Sequence, residues 1–158
     1  MPPTPIAPGT RAPDFALRST PDQLVTLADL RGKPLILAFY PADWSPVCGD
    51  QMALYNEILP EFRELGAELV GISIDHAWCH VAFAQSRNLH FPLLADFHPK
   101  GAVCAAYGAY MDDWGHANRS LVLIDRDGTV AWSFATPTPL EIPGANLIFD
   151  ALDDGATA

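Results

Sequence analysis

The hydrophobic pattern of the chain switches repeatedly between strand and helix periods. Pro34–Tyr40 (PLILAFY) is an almost unbroken apolar run, as a central strand covered on both faces requires, and it stops at Pro41. A loop follows, and Ser45-Pro46-Val47-Cys48 reads as a helix start, with Ser45 as N-cap and Pro46 at the first helical position. The helical spacing continues through Met52, Tyr55, Ile58, Leu59, Phe62 and Leu65, with a kink expected before Pro60 and an end at Gly66. Glu68–Ser73 (ELVGIS) is a second buried strand, and Asp75 is placed to cap a helix over Ala77–Arg87.

Shorter signals complete the layout. Asp14–Leu17 and Leu24–Leu27 flank a Thr20-Pro21-Asp22 turn, which predicts an N-terminal hairpin. Phe91–Leu94 reads as an extended segment before a short helix near Ala102–Tyr107. Ser120–Asp125 and Thr129–Phe134 surround the turn Arg126-Asp127-Gly128, a second hairpin. Pro143-Gly144 introduces a last helix, Ala145–Leu152, before a frayed acidic tail. Strands alternating with helices predict a three-layer α/β architecture with a mixed sheet, and nothing divides residues 1–158 into two domains.

Composition narrows the function. At 158 residues the chain buries roughly 68–70% of its unfolded surface without disulfides or a structural metal. Nine Lys+Arg against 19 Asp+Glu give a net charge of -10, which opposes binding to nucleic acid or anionic lipid. No apolar run reaches membrane-spanning length, and Met1–Arg11 lacks the regions of a signal peptide, so a cytoplasmic protein is expected. Cys48, Cys79 and Cys104 are too few and too odd for a secreted disulfide framework.

Cys48 carries the sharpest chemical signal. It follows the carboxyl end of a buried strand, where open α/β sheets form their reactive crevices. In a helix's first turn it faces unpaired N–H groups and the positive end of the macrodipole, which favour the nucleophilic thiolate. A small apolar core residue is the plain alternative.

Phe39–Cys48 (FYPADWSPVC) resembles the active-site loop of the peroxiredoxins, the alkyl hydroperoxide reductase/thiol-specific antioxidant family. Pro41, Ser45 and Cys48 fill the fixed positions of the motif Pro-x3-Thr/Ser-x2-Cys. The resemblance extends over Ala7–Phe15, Leu27–Lys33, Leu69–His80 and Phe91–Asp96, and Arg119 before Leu121–Gly128 matches the family's active-site arginine. It points toward the Q-type (bacterioferritin-comigratory-protein-like) and one-cysteine AhpE-like members. It implies a thioredoxin-like fold and a peroxidase acting on hydrogen peroxide and organic hydroperoxides without a cofactor or metal.

The resemblance also implies roles. Cys48 would attack one peroxide oxygen and become a sulfenic acid, with Arg119 supplying cationic donors to the leaving oxygen. The N–H groups of Val47 and Cys48 would add dipoles, Ser45 would cap the helix and touch the peroxide, and Pro41 would shield the thiolate. Gln51, where family members carry Glu or Gln, would hold the arginine or face solvent. Trp44 would wall the site or simply pack, and His116 is expected in a loop rather than as a base.

The second thiol is open. Ala53 occupies the position of a resolving cysteine in one large Q-type subgroup, and no cysteine follows Cys104. Cys79, in a helix's first turn and expected to be accessible and acidic, is the candidate resolving cysteine, while Cys104 reads as an inert core residue. A one-cysteine enzyme reduced by thioredoxin or another external thiol is the alternative, as monomer or homodimer. A redox sensor without turnover, a thioredoxin-like oxidoreductase lacking the second cysteine of Cys-x2-Cys, and a metal module on His76, Cys79 and His80 stand further off.

Overall fold

The two apolar runs of the sequence lie side by side at the centre of one sheet. β3 (Leu35–Phe39) and β4 (Glu68–Ser73) pair in parallel, with Leu35 opposite Glu68 and Phe39 opposite Ile72. The structure, a computed structural model, describes residues 3–138 and 140–156. Beside β3 lies β8 (Ser120–Ile124), antiparallel, with Phe39 opposite Ser120, and β9 (Val130–Ala135) closes that edge as a hairpin. On the other side, β5 (Leu93–Ala95) runs parallel to β4, and the N-terminal hairpin of β1 (Ala16–Thr20) and β2 (Gln23–Thr26) forms the far edge. The strand order is β2-β1-β5-β4-β3-β8-β9.

Alternation along β3 divides the core into two layers. Ile36, Ala38 and Tyr40 face a cluster with Met52, Tyr55, Leu59 and Phe62 of α1 (Pro46–Glu64), Phe83 of α2 (Ala77–Arg87) and Ile148 of α4 (Ala145–Ala151). Leu35, Leu37 and Phe39 face the opposite cluster with Cys104 of α3 (Ala102–Ala106), Tyr107 and the N-terminal residues Ala12 and Phe15. A Cβ on Gly71 of β4 would lie 2.7 Å from the Leu93 side chain and 3.1 Å from that of Tyr40, so the missing side chain lets both close over the strand.

Several expectations need correction. α2 is capped by His76, whose Nδ1 accepts from the Trp78 N–H at 3.2 Å, and not by Asp75. α1 runs through Pro60 and ends at Glu64, two residues before the expected Gly66. The third parallel strand begins at Leu93, two residues later than the apolar run suggested. A small separate hairpin, β6 (Tyr110–Met111) with β7 (His116–Ala117), was invisible because two-residue strands carry no period. His116 is therefore a strand residue. After α4 the chain does not fray at once, because Leu152–Ala156 continues as a π turn. Met1 and Pro2, like the last two residues of the acidic tail, lie outside the described residues. The rest of the proline-rich start is fastened down, with the Ile6 N–H on Tyr107 O at 3.1 Å and the Gly9 N–H on Val130 O at 2.8 Å.

Candidate active site

β3 delivers the chain to the site and α1 carries it away. Between them, Pro41 is buried, Trp44 takes a left-handed φ of 70°, and Ser45 is the helix cap. The Ser45 Oγ accepts from the Cys48 N–H at 3.4 Å, so this N–H serves the cap. Pro46 takes the first helical position, where its missing N–H costs nothing. Cys48 consequently sits in the first turn of a 19-residue helix, and it is fully buried.

Arg119, just before β8, reaches across to it. Both terminal nitrogens of the guanidinium, Nη1 and Nη2, lie 3.4 Å from the Cys48 Sγ, which makes a two-pronged contact between a permanent cation and the thiol. Arg119 is also buried, and its Nη1 donates to the Gln51 Oε1. Its own carbonyl accepts from the N–H and Oγ1 of Thr136, at 3.0 and 3.2 Å. Gln51 is buried rather than facing solvent, with its amide oxygen on the guanidinium.

Val47 is half-buried. Trp44 is half exposed and packs edge-on against Phe83 with ring centroids 5.3 Å apart. Cys104 is buried, and burial followed by the nearby Asp96 carboxylate pushes its thiol well up. Asp96 meanwhile accepts from the N–H groups of Val103 and Cys104, at 3.1 and 2.8 Å, and so caps α3. All three thiols are free.

A second polar cluster lies behind the loop, and the sequence reading missed it. Asp43, between Pro41 and Ser45, is buried. Its Oδ1 accepts from the Tyr40 hydroxyl at 2.6 Å, its Oδ2 lies 2.7 Å from the His80 Nδ1, and its N–H donates to Asp75 Oδ2 at 2.8 Å. Asp75 also receives the Ser73 hydroxyl at 2.6 Å. The metal set of His76, Cys79 and His80 is not assembled, because His76 caps α2 and His80 serves Asp43. Instead, ligand atoms of Asp43, Asp75 and Cys79 gather within 4.8 Å of one another.

This cluster overturns the expectation of an acidic Cys79. Partial burial, then the Asp43 and Asp75 carboxylates, push its thiol up to about 11. A helix N-terminus does not offset two carboxylates at close range. Burial and Asp43 likewise push the Tyr40 hydroxyl well up.

Comparison with known proteins finds relatives along most of the chain. The AhpC/TSA family matches residues 8–133. Alkyl hydroperoxide reductase E of Mycobacterium tuberculosis is 37% identical over 145 residues, covering 91% of this chain and 94% of that one. The chloroplastic peroxiredoxin Q of Triticum aestivum is 34% identical over 82% of this chain and 59% of its own. Among solved structures, peroxidoxin BcpB from Mycobacterium tuberculosis superposes with a TM-score of 0.82 at 28% identity, covering 92% of this chain and 96% of that one. AhpC of Enterococcus faecalis does so with a TM-score of 0.84 at 24% identity, over 92% and 90%.

Proposed function

The chain belongs to the AhpC/TSA family, the peroxiredoxins, and on that premise we propose that Cys48 is the thiol through which it acts as a thiol-dependent peroxidase. The observation that carries the assignment is the two-pronged contact of Arg119 on the Cys48 Sγ, 3.4 Å from each terminal nitrogen, at the carboxyl end of β3. The Cys48 thiolate attacks one oxygen of hydrogen peroxide or an organic hydroperoxide. A sulfur–oxygen bond forms, the oxygen–oxygen bond breaks, and the sulfenic acid remains on the protein. The departing oxygen leaves as hydroxide or alkoxide and takes a proton, so that water or an alcohol is released.

Each neighbour contributes in its own way. Arg119 stabilises the charge that develops on the departing oxygen, an effect worth about 2.7–4 kcal/mol for one donor at a comparable oxyanion site. Gln51 holds the guanidinium. Ser45 fixes the first turn of α1, Val47 and Trp44 line the approach, and Pro41 keeps water from the thiol without presenting an N–H of its own.

The sulfenic acid is returned to the thiol in two stages. Cys79 condenses with it, expelling water and forming an intramolecular disulfide, and thioredoxin or a similar dithiol reduces that disulfide. Supporting this reading, the Cys79 thiol shares its surroundings with Asp43 of the loop that leads to Cys48. Direct reduction by an external thiol is the second reading, favoured by the raised Cys79 thiol. Residues 1–158 act as one domain, as monomer or homodimer, and the three free thiols suit a reducing cytoplasmic compartment. No helix among the described residues is long and apolar enough to cross a membrane. Intact mass spectrometry after one equivalent of peroxide tests the assignment. A gain of one oxygen at Cys48, or a loss of two hydrogens at Cys48–Cys79, is expected, and an unreacted Cys48 overturns it.

A further inference from the structure

Tyr55 lies in the middle of α1, fully buried in the layer of Met52, Leu59 and Phe62. A phenylalanine ring would fill the same space, so the hydroxyl needs its own account. It donates to the Pro143 carbonyl at 2.7 Å, in the segment that precedes α4. Its oxygen in turn lies 3.3 Å from the Gln51 Nε2, one helical turn back. Burial pushes this hydroxyl up to about 12, so it keeps its proton at any working pH.

These partners decide which way the Gln51 amide points. The two ends of an amide are nearly equal in shape but opposite in chemistry: the oxygen accepts and the nitrogen donates. Flipped, Gln51 would present its NH2 to the Arg119 guanidinium, donor against donor, in a buried site. With the Tyr55 proton committed to Pro143, the hydroxyl offers Gln51 a lone pair, which only the NH2 end can use. The oxygen end is left for Arg119. Donation therefore runs in one direction from Arg119 to Gln51, to Tyr55, to the Pro143 carbonyl.

We propose that Tyr55 is a positioning residue for the peroxide reaction: its hydroxyl fixes the orientation of the Gln51 amide, and through it the aim of Arg119 at Cys48. The inference rests on the reading of Cys48 and Arg119 as the reacting pair. It also ties the site to the segment before α4, through a residue 88 positions from Pro143 in the chain.

The test is a pair of backgrounds followed by stopped-flow oxidation of Cys48 with hydrogen peroxide. Tyr55→Phe in the native background is expected to lower the second-order rate by about five- to thirty-fold, the size of one buried hydrogen bond. In a Gln51→Glu background the same substitution should change the rate less than twofold, because a carboxylate accepts from Arg119 with either oxygen and has no wrong end. A Tyr55 that served only to tether Pro143 would lower the rate equally in both backgrounds, and that result overturns the proposal. So does an unchanged rate for Tyr55→Phe in the native background. Failure of the underlying reading looks different: Arg119→Ala would then oxidise as fast as the native protein, whatever Tyr55 does.

Discussion

The Nδ1 of His80 lies 2.7 Å from the Oδ2 of Asp43, with both side chains buried, and this contact joins α2 to the loop that delivers Cys48. The other ring nitrogen of His80 lies 3.1 Å from the Leu94 carbonyl, so both ring nitrogens face acceptors. The loop is thereby held through Tyr40 just after β3, through His80 of α2 and through Asp75 just after β4. Removing His80 leaves the buried Asp43 side chain without that hydrogen-bond partner, which costs about 1–3 kcal/mol. His80→Ala is expected to lower unfolding stability by that order in urea titrations, and Asp43→Ala/His80→Ala together by less than the sum of the two singles. A loss under about 1 kcal/mol for His80→Ala would remove the pair from the supports of the loop.

Stability should fall in alkali, and the sign follows from where the protons sit. Burial and two carboxylates raise Cys79 from an ordinary 9.0 to about 11, so above pH 9 the unfolded chain releases a proton that the native protein keeps. The native state then binds more protons, and stability decreases as pH rises from about 9 through 11. Cys104, raised from the same ordinary value, acts in the same direction from about pH 9, and Tyr55, raised to about 12, with Tyr40 and Tyr107, raised as well, act so from about pH 10. The urea midpoint is expected to hold level between about pH 7 and 8.5 and then to drop, with a shallower drop in Cys79→Ala. A midpoint that climbs across this range would contradict the surroundings assigned to the thiol.

Much of this site was legible because its signals are local. An apolar run ending at Pro41, then Ser45 and Pro46, states in a few residues that a buried strand feeds a capped helix with Cys48 in its first turn. Arg119 was legible only through the family resemblance, which places an arginine a short step before Leu121–Gly128. What stayed hidden depends on long-range partners. Asp43 looked like one variable loop position, since its meaning lies 37 residues away in His80. Tyr55 looked like an ordinary apolar helix position, since its hydroxyl partner is Pro143. Cys79 was misjudged for the same reason: the helix start was visible in the sequence, but the carboxylate brought beside it from the loop was not.

Cys48→Ser is expected to abolish peroxide consumption while leaving the far-ultraviolet spectrum unchanged, because a serine hydroxyl keeps the shape of the first turn but lacks the thiolate. Arg119→Ala is expected to slow oxidation of Cys48 by about 10²–10³-fold, the effect of losing one transition-state donor. Stopped-flow kinetics check both. Continued turnover in Cys48→Ser would move the chemistry to another thiol, and an unchanged rate in Arg119→Ala would take the guanidinium out of the reaction.

The partner thiol gives the last prediction, and the structure sets its terms. Cys48 is fully buried in α1, while Cys79 lies in the first turn of α2 against Asp43 and Asp75. Cys48 is buried inside a folded first turn and a disulfide requires Cα atoms within about 4.4–6.8 Å, so the first turn of α1 is expected to open before the two join. Opening the loop also carries Asp43 away from Cys79, which removes one of the charges that keep its thiol protonated. Disulfide formation should therefore follow the sulfenic acid as a separate step whose rate does not depend on peroxide concentration. It should quicken as pH rises toward the Cys79 range. Non-reducing peptide mapping of the peroxide-treated protein is expected to yield a Cys48–Cys79 peptide that disappears in Cys79→Ser. In that variant, excess peroxide should convert Cys48 to the sulfinic acid faster. A lasting sulfenic acid in the unmodified protein would instead assign reduction to an external thiol, and a Cys48–Cys104 peptide would require an opening of the sheet's far layer that nothing in the packing of α3 favours.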